Sequence, residues 1–177
     1  MTMENVKQAD KLAALPIISV EPFLHPDGHP GKLSTAAAFH AACSQYGFFY
    51  LDISSYADPS EPEELTRLAR EFFALPPEKK DEISISNEDG ARGAQIRPCL
   101  MICTDSQCSG YQRLQENVTN GKADNHEAID YFRPVDKPDK TKPLGGENQW
   151  PAVPGFKEKY EAWVEKMKKL GMIVMEA

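Results

Sequence analysis

Long apolar runs and an excess of positive charge are lacking in this chain, and histidines are few. Its 20 Lys and Arg face 27 Asp and Glu, giving a formal net charge of −7 and a pI near 5.1. A phosphate backbone would be repelled, and no basic cluster outweighs its acidic neighbours, so nucleic acid is not expected as a partner. No apolar stretch approaches the roughly 20 residues needed to span a bilayer. Residues Met1 to Leu15 carry acids and lack a hydrophobic signal core. No membrane partner and cytoplasmic residence are therefore the expectation. In a reducing compartment Cys43, Cys99, Cys103 and Cys108 are expected as free thiols. The run Cys99-x3-Cys103-x4-Cys108 offers three ligands at the wrong spacing for structural zinc, which takes four and commonly spaces one pair by two residues.

What is present supports a folded core. Hydrophobic residues make up 41% of the chain, which argues against wholesale disorder. Pro16-Ile17-Ile18-Ser19-Val20 predicts a short strand, and the prolines and glycines of 22–33 a loop. Ser34 or Thr35 is expected to cap a helix running to Gln45, with Ala38, Phe39, Ala42 and Cys43 on one face. Gly47 ends it, and Phe48–Ile53 predicts a buried strand. Strand, helix crossover and strand suggest parallel pairing. Glu61 to Ala74 predicts a second amphipathic helix. Pro62 and the acids Glu61, Glu63 and Glu64 lie in its first turn, and Leu65, Leu68, Ala69, Phe72 and Phe73 form its stripe. Pro76-Pro77 breaks it before a short helix over Glu78–Ile83. Residues 84–150 are expected to be loop-rich. A last helix from about Pro154 carries Phe156, Tyr160, Trp163, Val164, Met167 and Leu170 on one stripe, and stays apolar without a stop signal to the end.

In this order the pieces resemble the N-terminal region of the isopenicillin N synthase-like non-haem Fe(II), 2-oxoglutarate-dependent dioxygenases. The residues that carry the likeness are Pro16-Ile17-Ile18, Phe39–Tyr50 ending in Gly-Phe-Phe, and Phe72-Phe73-x-Leu75-Pro76-x-Glu78-Lys79. Gly110-Tyr111, Glu127-Ala128-Ile129-Asp130-Tyr131-Phe132 and Asn148-x-Trp150-Pro151 complete it. The resemblance implies an α/β fold: the helix-rich N-terminal portion, with a few short strands, of a double-stranded β-helix (jelly-roll) dioxygenase, incomplete here. It implies a flexible lead over 1–15, one dioxygenase N-terminal domain over 16–177, and a catalytic β-helix absent from these residues. Fe(II) and 2-oxoglutarate are implied for the full-length family. There, two imidazoles and one carboxylate on one face of the iron leave positions for the keto acid and dioxygen. The family's His-x-Asp and distant His fall beyond the long helix, so this chain alone is expected to bind neither cofactor and to hold no catalytic residue.

Other candidates for chemistry are weak. His25-Pro26-Asp27 matches His-x-Asp literally and His29 is near, but Pro26, Gly28 and Pro30 make this a polar loop. His40 is expected to be packed or half-buried in its helix, and His126 solvated. Arg92 and Tyr111 flank the Arg-Gly/Gly-Tyr junction, where some relatives touch substrate. They are the two substrate-binding candidates, a guanidinium fork for an acid group and a hydroxyl donor. Glu127, Asp130 and Tyr131 are expected to hold a loop and a sheet edge.

Ala94 to Ser109 interrupts that junction and holds three of the four cysteines. If Gly93 is read from G|GT and Ser109-Gly110 from TCA-G|GN, a unit starting GT and ending CAG can be excised in frame. Excision restores Asp89-Gly90-Ala91-Arg92-Gly-Tyr111. A retained intron and a genuine surface insertion are both open.

The functional expectation is an N-terminal fragment of an Fe(II)/2-oxoglutarate-dependent oxidoreductase acting on a small metabolite, inactive alone. The alternative is a non-catalytic interaction module that docks on a full-length relative. Self-association through the apolar stripe of the last helix is a further expectation.

Overall fold

The structure is a computed structural model and describes residues 15–25, 28–84, 110–116, 118–134, 136–138 and 147–177. Arg92, the segment 94–109 with its three cysteines, and Asp27 lie outside the described residues. The fold is mixed α/β, with few and short strands. The chain forms two compact units, Met1–Glu63 with Glu161–Ala177, and Glu64–Tyr160.

In the first unit, strand β1 (Ile17–Ser19) pairs in parallel with β2 (Tyr50–Asp52) in the register Ile17↔Tyr50, Ile18↔Leu51 and Ser19↔Asp52. The crossover between them is helix α1 (Lys32–Gln45). Ile18, Phe39 and Ala42 are buried together, with Phe23, Phe49 and Leu51 packed against them. The period of two along each strand sends Ile18 and Leu51 inward, and Ile17 and Tyr50 out to solvent at 74% and 62% exposure. The expected buried strand is therefore covered on one face only, and Phe48 is also exposed.

Helix α1 starts two residues before its expected cap. The Ser34 hydroxyl donates to the Gly31 carbonyl instead of accepting from the helix, and the Gly31 N–H goes to His29 Nδ1 at 3.0 Å. Its buried face is narrower than the periodicity suggested: Ala38, Cys43 and His40 are exposed. The end of α1 is as expected. Gly47 at φ 78° donates to the carbonyls of Ala42 and Cys43, a left-handed cap that a side chain would disfavour.

Helix α2 (Ser60–Phe73) opens with Asp58 accepting from the Ser60 N–H at 2.8 Å, and Glu61 accepting from the Asp58 N–H. Within the first unit the Tyr56 hydroxyl donates to the Lys166 carbonyl at 2.9 Å, and Lys166 Nζ meets Glu61 at 2.5 Å.

The second unit holds the short helix α3 (Pro77–Lys80), which continues as a 3-10 turn over Asp81–Ile83. It also holds β3 (Gly110–Gln112), the hairpin of β4 (Val118–Thr119) and β5 (Lys122–Ala123), and β6 (Ala128–Asp130), antiparallel to β3. These strands of two or three residues fall in the stretch expected to be loop-rich. Helix α4 (Phe156–Met175) begins here. The core is Leu68, Phe72, Ile83, Tyr111, Val153 and Phe156, with Tyr131, Trp150 and Tyr160 packed on it.

Candidate functional site

Among the described residues of the second unit, a buried polar arrangement joins α3 to the β3–β6 ladder. Lys80 sits on the last turn of α3 and is 8% exposed. Its ammonium donates to Glu127 Oε2 at 2.6 Å and to the Phe73 carbonyl at 3.3 Å, and lies 5.4 Å from the centroid of the Tyr111 ring. Tyr111, on β3, donates its hydroxyl to the same Glu127 oxygen at 2.6 Å. One carboxylate oxygen thus serves two buried donors, one of them charged. Burial pushes the Glu127 carboxyl up, but the hydrogen bonds from Lys80 and Tyr111 outweigh it and hold the group below its ordinary range. Burial, then the bond to Glu127, pushes the Tyr111 phenol well above its ordinary value, so it stays a proton donor.

Flanking contacts tie the same ladder down. Gln112 bonds to Asp130 across the strand pair, and burial raises the Asp130 carboxyl. Arg113 reaches Asp81 at 2.7 Å. Gln149 donates to the Ser84 carbonyl at 2.9 Å, and the Asn148 side-chain amide accepts from the Phe132 N–H and donates to the Phe132 carbonyl. Beside them Tyr131 stacks on Trp150 at 4.4 Å and lies 4.7 Å from Tyr160. Its hydroxyl is buried with no hydrogen-bond partner among the described residues.

Glu127, Asp130 and Tyr131 thus anchor strand and loop. Tyr111, one of the two substrate-binding candidates, is 3% exposed and bonded to Glu127. The other, Arg92, lies outside the described residues, so the two are not brought together there. Sequence reading missed Lys80. Its only signal was a lysine at the end of a short helix, which resembles a solvated residue until its partner 47 positions later is known.

The described part of the histidine loop is held by local contacts. His25 and His29 stack at 5.3 Å, His29 Nδ1 is taken by the Gly31 N–H, and His25 lies 3.6 Å from Glu21. Among the described residues no three His, Cys, Asp or Glu side chains gather as a metal site. Two imidazoles and a carboxylate on one face are not assembled there, and no step is assigned to iron.

The pattern of the family described as non-haem dioxygenase in morphine synthesis N-terminal matches residues 15–97. Homoarginine-6-hydroxylase 2-ODD-C23 of Glycine max is 32% identical over 94% of this chain and 48% of its own length. Homoarginine-6-hydroxylase 2-ODD-233 of Oryza sativa subsp. japonica is 30% identical over 92% of this chain and 47% of its own. This chain carries the N-terminal region of the Fe(II)/2-oxoglutarate-dependent dioxygenases. The crystal structure of a full-length Neurospora crassa protein in complex with alpha-KG shares the fold of this dioxygenase N-terminal region, with a TM-score of 0.55 and 23% identity. That likeness covers 89% of this chain and 44% of the Neurospora chain. The chain spans about half the length of the curated relatives it matches. Among its described residues no helix is long and apolar enough to cross a membrane.

Proposed function

We propose that these 177 residues are the scaffold of an Fe(II)- and 2-oxoglutarate-dependent oxidoreductase acting on a small metabolite, and are inactive by themselves. The observation that carries the proposal is the match to a hydroxylase along 94% of this chain but 48% of the relative. In this reading residues 1–15 are a lead, 16–177 are one dioxygenase N-terminal domain, and the catalytic jelly roll that binds iron and keto acid is supplied outside these residues. Arg92 and Tyr111 belong to the substrate wall. Because the Tyr111 hydroxyl is committed to Glu127, Tyr111 contributes its ring rather than a proton.

The test uses the purified chain alone, and the same chain joined to the unmatched half of the soybean relative. The chain alone is expected to show no stoichiometric Fe(II) binding in an anaerobic titration and no keto-acid decarboxylation. The joined protein is expected to convert 2-oxoglutarate to succinate, with homoarginine as the first substrate to offer. Turnover by the chain alone would overturn the proposal.

A second reading, a non-catalytic module docking on a full-length relative, is favoured by the bare sheet face of Ile17 and Tyr50 and by Met172 and Met175 on α4, 61% and 83% exposed. Self-association through α4 belongs to the same reading, although Phe156 and Leu170 of its expected stripe are each 5% exposed. Sequencing mature transcripts past the Ala177 codon separates the readings. An in-frame His-x-Asp and a distant His support the enzyme, and a shared stop supports the module.

The segment 94–109 belongs to the same proposal as a retained intron or inserted loop. Ser84 forms a parallel bridge with Tyr111, so the ends of the 25-residue connection from Ser84 to Gly110 are held close. Deleting 94–109 leaves nine residues and lowers the entropy cost of closing that connection by about 1 kcal/mol. The unfolding midpoint is expected to hold or rise. A clear fall would mean that the insert contributes contacts, and continuous coverage of its codons in mature message would sink the intron reading.

A further inference from the structure

We propose that Asn120-Gly121 is a site of spontaneous deamidation and isomerisation, a modification that converts one turn of the second unit from neutral to acidic. The two residues are the whole turn of the β4–β5 hairpin, between the partners Thr119↔Lys122. Both have positive φ, 51° and 78°, as a two-residue turn of this hand requires. Both are exposed, and a Cβ built at Gly121 would meet nothing within 4 Å. The space around the reacting bond is therefore open, and glycine adds no side chain to obstruct it. Among the described residues the Asn120 amide has no hydrogen bond to hold it.

The chemistry is intramolecular and balanced. The Gly121 backbone nitrogen loses its proton and bonds to the Asn120 side-chain carbonyl carbon, and ammonia leaves with that carbon's former nitrogen. Water then opens the five-membered imide. Opening at one carbonyl gives aspartate. Opening at the other gives isoaspartate, which routes the main chain through the side-chain carbon. No oxidant, reductant or enzyme is needed.

Ring closure requires Asn120 to leave its left-handed conformation, so the turn must open first. Among the described residues the ladder has two residue pairs, Val118↔Ala123 and Thr119↔Lys122. Its open end is closed by Gln115, whose backbone N–H donates to the Asp124 carbonyl and whose side chain donates to Asn125, each at 3.0 Å. A two-stranded hairpin is marginal by itself. The side-chain brace nearest the turn is the Thr119 hydroxyl donating to Asp124 at 2.8 Å. Local opening well short of global unfolding is therefore accessible. An isoaspartate at 120 adds a backbone atom to a two-residue turn and cannot keep the Thr119↔Lys122 register.

The test is timed incubation of the full chain at mildly alkaline pH, followed by peptide mass analysis with enzymatic detection of isoaspartate. Asn125 and Asn148, followed by His126 and Gln149, are the internal references. Asn120 is expected to convert roughly tenfold faster than either, a barrier lower by about 1.4 kcal/mol. Gly121→Ala is expected to slow it to the reference rate, and Thr119→Val, which removes the brace, to speed it. Conversion at Asn120 no faster than at Asn125 and Asn148 would overturn the proposal, as would an unchanged rate in Thr119→Val.

Discussion

Phe72→Ala is expected to lower the stability of the second unit by about 3–5 kcal/mol, the usual cost of emptying a fully buried aromatic site. Phe72 is 1% exposed and central to its core. Its ring meets Tyr111 edge-on at 5.8 Å and Phe73 at 5.2 Å. The void would therefore be walled by α2, β3 and the residues around Ile83, Val153 and Phe156, which the strand ladder and the Lys80–Glu127 bond hold apart. Collapse into the space would require those anchors to move. A domain holds only about 5–15 kcal/mol in total, so the loss is a large part of it. Trp150 lies in the same unit and Trp163 in the other, so a Trp163→Phe background isolates the Trp150 signal in urea unfolding. Phe73→Ala is the control. Phe73 is only half-buried, and its loss is expected to cost well under half as much. A Phe73→Ala effect equal to that of Phe72→Ala would refute the central place given to Phe72.

The same residue shows what was legible from sequence. Phe72 lies on a stripe with Leu65, Leu68 and Ala69 at helical spacing, the acids at the helix start and Pro76-Pro77 at its end mark its limits, and the helix is found within a residue of where those signals put it. The same logic places α4 and the end of α1, because period and breaker are local, while the start of α1 precedes the cap expected at Ser34 or Thr35. It fails where the deciding contact is distant. Strand β6 is three residues long and half-buried, so its pattern is too brief to read, and it exists because Gly110–Gln112 lies alongside it. Lys80 is buried because Glu127 and Tyr111 arrive from elsewhere in the chain. An apolar helix predicts a packed or half-buried His40, but the buried arc of α1 is a narrow line through Phe39 and Ala42, and His40 falls outside it. The family was legible because its motifs are strung in order along the chain. The arrangement that supports the candidate site was not, because it is made of pairs.

Glu127→Leu is expected to cost about 2–3 kcal/mol at neutral pH, while Lys80→Met costs about 1 kcal/mol, and the asymmetry is the point. Removing the carboxylate leaves the Lys80 ammonium, 8% exposed, with a carbonyl at 3.3 Å and the face of the Tyr111 ring as its partners among the described residues. Breaking a buried pair from that side costs roughly 3–5 kcal/mol, trimmed here because the Glu127 side chain is 28% exposed and water can reach the gap. Removing the lysine instead leaves a carboxylate that water already reaches and that Tyr111 still donates to. Acid titration supplies the second readout. The Glu127 carboxyl is depressed in the folded chain, so its stabilisation is complete above the ordinary value of 4.5 and is lost as pH falls through the lower folded value. Asp130 is raised by burial and works in the opposite sense, so total stability against pH blurs the two. The difference between the native chain and Glu127→Gln separates them. It is expected to stay constant from neutral pH down to about 4.5 and then to shrink. A difference that grows with acid would refute the depressed Glu127 carboxyl, and a Lys80→Met variant less stable than Glu127→Leu would show that the lysine, rather than the carboxylate, is the member of the pair that the fold can least spare.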